Sequence, residues 1–173
     1  MISWQLKQSA YKSRYICVLI SLFFYVTATA QKAELIKSAE LFHMLGQCSA
    51  KNKIEVYNFW ATWCAPCIRE IPQFEAVNKL YEEVNITLIS LDDADELNNQ
   101  VNMFITKRKL DSKVVLLDET DFNEIINRVD TNWSGAIPAT LIVDCRNGKR
   151  TFYEGEFKEN ELKYTIEKLL NSP

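Results

Sequence analysis

Histidine is almost absent from this sequence, and its scarcity removes two kinds of site from consideration. The one histidine is His43, which lies in a segment with a helical pattern. A structural zinc ion takes about four cysteine or histidine ligands, so one histidine cannot complete such a site around a single pair of cysteines. We interpret His43 as an ordinary helix residue, which leaves a cysteine–histidine protease without support.

Acidic residues are missing from the beginning of the chain, where the first one is Glu34. Three basic residues precede an apolar run over residues 15–26, which ends in the small-x-small pattern Ala28-Thr29-Ala30. The run is short for a membrane-spanning helix, which needs about twenty apolar residues. We therefore predict that residues 1–30 are a signal peptide cleaved after Ala30, with a retained N-terminal anchor as the alternative.

Linkers, low-complexity tracts and internal repeats are also missing, so residues 31–173 are predicted to form one domain. The leader holds three of the 20 Lys and Arg residues and none of the 23 Asp and Glu residues, which leaves a net charge of −6 on the domain. A nucleic-acid-binding protein needs a basic face. The composition therefore argues against nucleic acid as a partner.

Helical and strand-like patterns alternate along the domain and end in a hairpin. Helices are predicted over 33–45, 67–82, 96–108, 121–129 and 159–170, and strands over 54–60, 84–91, 114–117, 139–144 and 151–155. This order predicts an α/β sandwich with a mixed sheet, in which a helix precedes the first strand directly.

A C-x-x-C pair stands between the first predicted strand and the helix after it, within Trp60-Ala61-Thr62-Trp63-Cys64-Ala65-Pro66-Cys67. Cys64 would lie at the helix N-terminus, where unpaired N–H groups and the helix dipole favour a thiolate. Cys67 lies one turn further, close enough to form a disulfide with Cys64. In an exported chain this spacing indicates either a redox site or a structural bridge.

The same motif carries a resemblance to a known family. The run from Asn58 to Cys67, with Glu70 three residues later, resembles the thioredoxin superfamily and is most similar to its exported TlpA/ResA-like branch. Ser90-Leu91-Asp92 and the run from Gly135 to Asp144 match the branch as well. The resemblance implies a thioredoxin-like three-layer sandwich, with a central mixed β-sheet flanked by helices.

The resemblance also implies roles for individual residues. Cys64 would attack a substrate disulfide, and Cys67 would resolve the mixed disulfide. Many thioredoxins carry a buried Asp where this chain has Asn58, so Glu70 is the candidate for proton transfer, or else a carboxylate that compensates the helix dipole. Pro138 would follow a cis peptide bond beside the pair.

Four residues around the pair are predicted to contact the substrate. The backbone of Ile137 would pair with a substrate strand. Trp63, Ala65 and Pro66 would flank the cysteines and shape access to them.

Two further cysteines remain in the domain, Cys48 shortly before the first predicted strand and Cys145 at the end of the strand over 139–144. In a thioredoxin-like sheet these strands are adjacent and antiparallel, so both thiols would lie at one edge of the sheet, remote from Cys64. A structural disulfide between them would fit this arrangement. The alternative is two separate buried cysteines.

Together these features predict an exported thiol–disulfide oxidoreductase in the periplasm or cell envelope. The resemblance implies that it works in the reducing direction, as in cytochrome maturation or general disulfide reduction. Its partners would be protein thiols and disulfides and a membrane electron donor, and it would be a monomer. We expect no metal and no cofactor other than the redox-active disulfide between Cys64 and Cys67.

Two other functions fit the same fold. A peroxiredoxin would carry the signature P-x-x-x-T-x-x-C, but here Thr62 is two residues before Cys64 and Asn58 occupies the proline position. A copper-binding module would use Cys64 and Cys67 as soft ligands, although Met44 and Met103 are remote from them in the sequence.

Overall fold

The computed structural model describes residues 31–172, which form a six-stranded mixed sheet with helices on both faces. The predicted signal peptide and its cleavage site lie outside the described residues. In chain order the elements are β1 (Glu34–Ile36), α1 (Ser38–Leu45), β2 (Ile54–Trp60), α2 (Ala65–Leu80), β3 (Val84–Ser90), a 3₁₀ turn (Ala94–Glu96), a π-helical turn (Leu97–Val101), α3 (Asn102–Arg108), β4 (Lys113–Leu117), α4 (Asn123–Val129), β5 (Ala139–Asp144), β6 (Lys149–Glu154) and α5 (Glu161–Leu170).

The strand order is β1-β4-β3-β2-β5-β6. The first four strands of this order are parallel to one another, and β5 and β6 are antiparallel to their neighbours. The central strand β2 is buried along its whole length, as expected for a strand covered on both faces. Trp60, its last residue, is fully buried, and the turn that carries the cysteine pair begins with the next residue.

The helices enclose two cores, one on each face of the sheet. Phe74 of α2 and Ile166 of α5 belong to one core, with Trp60 from the sheet. Leu41 of α1 and Ile125 of α4 belong to the other. Residues 31–172 therefore form three layers, with the sheet in the middle. The sheet sets the positions of the loops that follow the carboxyl ends of its strands. Among the described residues, no helix is long and apolar enough to cross a membrane.

The beginning of the domain differs from the prediction, because residues 34–36 form a strand rather than a helix. Glu34, Leu35 and Ile36 pair in register with Val115, Leu116 and Leu117 of β4. A strand of three residues is too short to show an alternating pattern, and its apolar residues coincided with the helical spacing of α1. The first strand is therefore not preceded directly by a helix.

The predicted helix over 96–108 is divided into three short pieces. The chain makes a 3₁₀ turn and then a π-helical turn, and the α-helix begins only at Asn102. Val101 and Ile105, which helical spacing places on one face of this segment, are both buried. Apolar spacing does not distinguish these helix types over so few residues.

Candidate active site

The two cysteines occupy a turn between the central strand and the longest described helix. Cys64 caps the N-terminus of α2, and its sulfur lies 3.3 Å from the backbone N–H of Cys67. Pro66 falls in the first turn of the helix, where the missing N–H costs nothing because that group has no helical partner. The cysteines form a disulfide, with 5.3 Å between their Cα atoms.

The two cysteines differ slightly in their exposure to solvent. In the disulfide form Cys64 is 5% exposed and Cys67 is fully buried. Cys64 is thus the sulfur nearer to solvent, although most of its surface is covered. The loop before Pro138 contributes to this cover, since the Ile137 carbonyl oxygen lies 3.8 Å from the Cys64 sulfur.

The Pro138 loop has the predicted conformation, with a cis bond between Ile137 and Pro138. Trp133 holds the loop in place, because its indole N–H donates a hydrogen bond to the Ala136 carbonyl at 2.8 Å. The Trp133 ring packs on Phe59 of β2, with 4.8 Å between the ring centroids. Trp133 is therefore a packing residue of the loop.

The carboxyl group of Glu70 is fully buried one turn of α2 beyond Cys67. One carboxyl oxygen accepts from the Asn58 side-chain amide at 2.8 Å, and the other accepts from the backbone N–H of Phe157 at 2.9 Å. Burial raises the pKa of Glu70 to about 7, and these two donors oppose the rise. A carboxyl group with such a pKa can take up or release a proton near neutral pH.

Asn58 links Glu70 to β5, the strand that pairs with β2 in the antiparallel direction. Its side-chain N–H₂ group also lies 3.1 Å from the Thr140 hydroxyl on β5. The sequence placed Asn58 near the cysteines but did not show that it contacts Glu70. The contact forms because α2 packs on the sheet with Glu70 facing Asn58 of β2.

A second buried carboxylate, Asp92, fixes the turn before Cys64. It accepts from the Thr62 backbone N–H at 3.0 Å and from the Thr62 hydroxyl at 2.6 Å. The Ser90 hydroxyl donates to the same carboxylate at 2.6 Å. Sequence reasoning matched Ser90-Leu91-Asp92 to the family but assigned it no role, and the structure shows that it anchors the cysteine turn.

The predicted substrate-contacting residues surround Cys64 with an apolar rim. Trp63 is 69% exposed, Ala65 is exposed, and Pro66 and Ile137 are half-buried. Solvent-exposed apolar groups beside a nearly covered sulfur form a surface on which a polypeptide can pack.

Cys48 and Cys145 are joined by a disulfide at the opposite end of β2, with 5.8 Å between their Cα atoms. The register brings them together, because Ile54 at the start of β2 pairs with Asp144 at the end of β5. β2 has seven residues, so about 20 Å of strand separates this bridge from the Cys64 turn. Cys48 is exposed, so it is not a buried apolar residue.

Residues 31–172 contain no group of three or more histidine, cysteine, aspartate or glutamate side chains that could hold a metal ion.

Comparison with known proteins gives related proteins and a shared fold. Thioredoxin-like protein YneN of Bacillus subtilis (strain 168) is 27% identical over 119 residues, which cover 68% of this chain and 66% of YneN. Thiol-disulfide oxidoreductase ResA of Bacillus anthracis is 32% identical over 99 residues, which cover 57% of this chain and 53% of ResA. The chain thus spans between about half and two thirds of the length of these curated relatives.

A solved structure confirms the predicted fold class. The crystal structure of a thioredoxin-related protein from Neisseria meningitidis serogroup B superposes with a TM-score of 0.59 at 24% identity. The match covers 72% of this chain and 90% of that one. The likeness at this identity concerns the fold, a thioredoxin-like sheet flanked by helices.

The AhpC/TSA family model matches residues 26–149, which include both the cysteine turn and the Pro138 loop. That segment is well over half of the chain, so the chain belongs to the AhpC/TSA family, within the thioredoxin superfamily.

Proposed function

We propose that this protein is an exported thiol–disulfide oxidoreductase that exchanges disulfides with protein substrates through Cys64 and Cys67. The observation that carries the proposal is the Cys64–Cys67 disulfide at the N-terminus of α2, one helical turn from the buried carboxyl group of Glu70. The names of the relatives YneN and ResA agree with this chemistry. The disulfide itself serves as the redox group, and the reaction needs no other cofactor.

In the reducing direction the reaction begins with both cysteines as thiols. The Cys64 thiolate attacks one sulfur of a substrate disulfide, which releases the other substrate sulfur as a thiolate and leaves a mixed disulfide. The Cys67 thiol then loses its proton and attacks the Cys64 sulfur. The substrate leaves as a dithiol, and the Cys64–Cys67 disulfide carries the two oxidising equivalents.

The local structure favours Cys64 as the attacking group. Its sulfur lies at the N-terminus of α2 and within 3.3 Å of the Cys67 backbone N–H, and both features stabilise a negative charge on sulfur. Cys67 is fully buried, so it does not attack a substrate disulfide and reacts only with the Cys64 sulfur of the mixed disulfide.

Glu70 is the proton-transfer group in this proposal. The Cys67 thiol must lose its proton inside the protein, where the Glu70 carboxyl group is the nearest buried acid along α2. A carboxyl group with a pKa of about 7 is charged in part of the molecules at neutral pH, so it can accept that proton and later return it.

The substrate polypeptide lies across the rim formed by Trp63, Ala65, Pro66 and Ile137. The backbone of Ile137 offers an edge for an extended substrate segment, beside Pro138. The apolar side chains cover the attacked disulfide and exclude water from the exchange.

The compartment and the partners complete the proposal. The leader pattern over residues 1–30 supports export to the periplasm or cell envelope, and a membrane donor would return electrons to the Cys64–Cys67 disulfide. The protein acts as a monomer on protein thiols and disulfides. The acidic net charge of residues 31–173 argues against nucleic acid as a partner.

Reduction of insulin by dithiothreitol tests the activity, with the Cys64→Ser/Cys67→Ser double variant as the control. We expect the parent protein to accelerate insulin precipitation, and we expect the variant to leave the rate at that of dithiothreitol alone. Equal rates for the two would refute the proposal. Equilibration against glutathione then gives the direction, because a potential near that of thioredoxin means a reductant and one near that of a strong periplasmic oxidase means an oxidant.

Two parallel assays address the other functions of this fold. Consumption of hydrogen peroxide, faster than insulin reduction and dependent on Cys64, would favour a peroxidase. Tight copper binding that blocks both cysteines would favour a metal-delivery module. We expect neither, since the peroxiredoxin signature is absent from the Cys64 motif.

A further inference from the structure

The connection between β6 and α5, residues 155–160, contains no helix or strand and yet passes beside the site. The Gly155 N–H donates to the Pro138 carbonyl at 2.8 Å, and the Phe157 N–H donates to Glu70 at 2.9 Å. This segment therefore contacts both the Pro138 loop and the buried carboxyl group. Its position must be fixed by other parts of the molecule, since it has no regular backbone ladder of its own.

Side chains of α2 fix this segment. Arg69 donates to both oxygens of Glu156, from Nε at 3.0 Å and from Nη2 at 2.6 Å. The Gln73 amide donates to the Phe157 carbonyl at 3.0 Å, and the Phe157 ring is buried against Phe74. Two consecutive turns of the helix that carries the cysteines thus hold the segment that supplies a donor to Glu70.

The ion pair between Arg69 and Glu156 has a specific geometry. Two parallel hydrogen bonds fix the direction of the Glu156 side chain as well as its distance. Glu156 immediately precedes Phe157, so this direction constrains where the Phe157 N–H points. The other ion pair formed by α2, between Lys79 and Asp111, is a single contact at 2.8 Å.

We propose that Arg69 and Glu156 are positioning residues of the exchange site, whose ion pair holds the Phe157 N–H on the Glu70 carboxyl group and so determines how readily Glu70 releases its proton. The inference rests on the proton-transfer role proposed for Glu70. Arg69 and Glu156 form their hydrogen bonds with each other rather than with the cysteines, and both act through the backbone of Phe157.

The surroundings of Glu70 determine the direction of the effect. The Phe157 N–H lowers the pKa of Glu70, and the nearby charge of Glu156 raises it. Cys67, one turn earlier on α2, does not titrate in the disulfide form, and the Asn58 amide of β2 does not titrate. Removal of Arg69 loosens the Phe157 donor and leaves the Glu156 charge unpaired. Both changes disfavour the charged carboxylate, so both raise the pKa of Glu70.

A carbon-13 NMR titration of the Glu70 carboxyl group in the oxidised protein tests this, with the signal assigned by its loss in Glu70→Gln. In Arg69→Met we expect the midpoint to rise by roughly half a pH unit, the scale set by a largely exposed ion pair. Arg69→Lys keeps the positive charge but loses the two parallel hydrogen bonds of the guanidinium group. Its midpoint should fall between those of the parent protein and Arg69→Met. Lys79→Met is the matched control, because it removes an equally exposed cation, also paired with a carboxylate, from the same helix, and it should leave the midpoint unchanged.

An unchanged midpoint in Arg69→Met would overturn the inference, and so would an equal rise in Lys79→Met. The insulin assay separates this outcome from failure of the proposed function. A parent protein that reduces insulin while Arg69→Met titrates like the parent refutes the positioning role alone. A midpoint that rises in Arg69→Met, in a protein that exchanges no disulfides, supports the positioning of Glu70 and refutes the exchange activity.

Discussion

The Asn58 amide donates a hydrogen bond to the Glu70 carboxyl group at 2.8 Å, and both side chains are fully buried between β2 and α2. An amide at this position cannot titrate, so the titratable member of this buried pair is Glu70, on the helix rather than on the strand. The amide also donates to the carboxylate, which partly offsets the cost of its burial. This pair links the central strand to the helix that carries Cys67.

The two cysteines should behave differently when each is replaced. We expect Cys67→Ser to accumulate mixed disulfides through Cys64, because the resolving thiol is gone while the sulfur nearer to solvent remains. Cys64→Ser should accumulate almost none. Non-reducing electrophoresis after incubation with an oxidised protein substrate measures both, and accumulation only in Cys64→Ser would reverse the assignment.

Replacement of Glu70 should change the pH dependence of exchange. In the proposed mechanism, resolution by Cys67 depends on the Glu70 carboxyl group, whose pKa is about 7, so the rate in the parent protein should change across neutral pH. Glu70→Gln should lose that inflection and resolve mixed disulfides at least about tenfold more slowly. This bound is conservative, because general acid–base catalysis typically contributes about 100-fold or more. Stopped-flow measurement of the resolution rate from about pH 5 to about pH 9, in steps of roughly one pH unit, would show the loss of the inflection. An identical profile in the variant would leave Glu70 as a purely structural acid.

The same residue predicts a pH effect on stability. The pKa of Glu70 is raised from 4.5 to about 7 on folding, so its contribution is most favourable below pH 4.5 and is lost as the pH rises to 7. The loss amounts to about 3 kcal/mol above that window. Relative to the oxidised parent, oxidised Glu70→Gln should therefore gain stability as the pH rises from 4 to 8. Urea denaturation at both pH values measures the difference, and a constant difference would contradict the buried, shifted carboxyl group.

Asp92 should be needed for the position of the cysteine turn. Asp92→Asn replaces one of the two carboxylate oxygens that accept from Thr62 and Ser90. We expect a loss of about 1–3 kcal/mol in the free energy of unfolding, because a buried donor loses its partner, together with slower insulin reduction. The neighbouring Asp93 is exposed, so Asp93→Asn is the control and should match the parent. Equal behaviour of the two variants would exclude the anchoring role.

The Cys48–Cys145 bridge should contribute to stability and not to catalysis. It closes a loop with a sequence separation of 97 residues, which corresponds to about 4.7 kcal/mol in the chain-entropy model. Cys48→Ser/Cys145→Ser should therefore unfold at lower urea concentration, while insulin reduction below that transition stays unchanged, since the bridge lies at the far end of β2. A large loss of turnover in a folded double variant would assign the bridge to the reaction.

The sequence by itself determined the centre of the molecule. The residues over 54–82 predict a strand, a turn and a helix, because each part has a local signal: an apolar run over 54–60, the C-x-x-C spacing and a helical pattern over 67–82. The Pro138 loop was predicted from a motif in the same way. Both predictions depended on residues that are neighbours in the chain.

Only the tertiary structure decided the features that join distant segments. Glu34–Ile36 became a strand because β4, about 80 residues later, supplied its partner. The donor to Glu70 is the backbone N–H of Phe157, a group that every non-proline residue carries and that leaves no mark in the sequence. Whether such a group meets a buried carboxyl depends on how α2 packs on the sheet and on where β6 ends. That packing is a property of the whole fold, so no local pattern could reveal it.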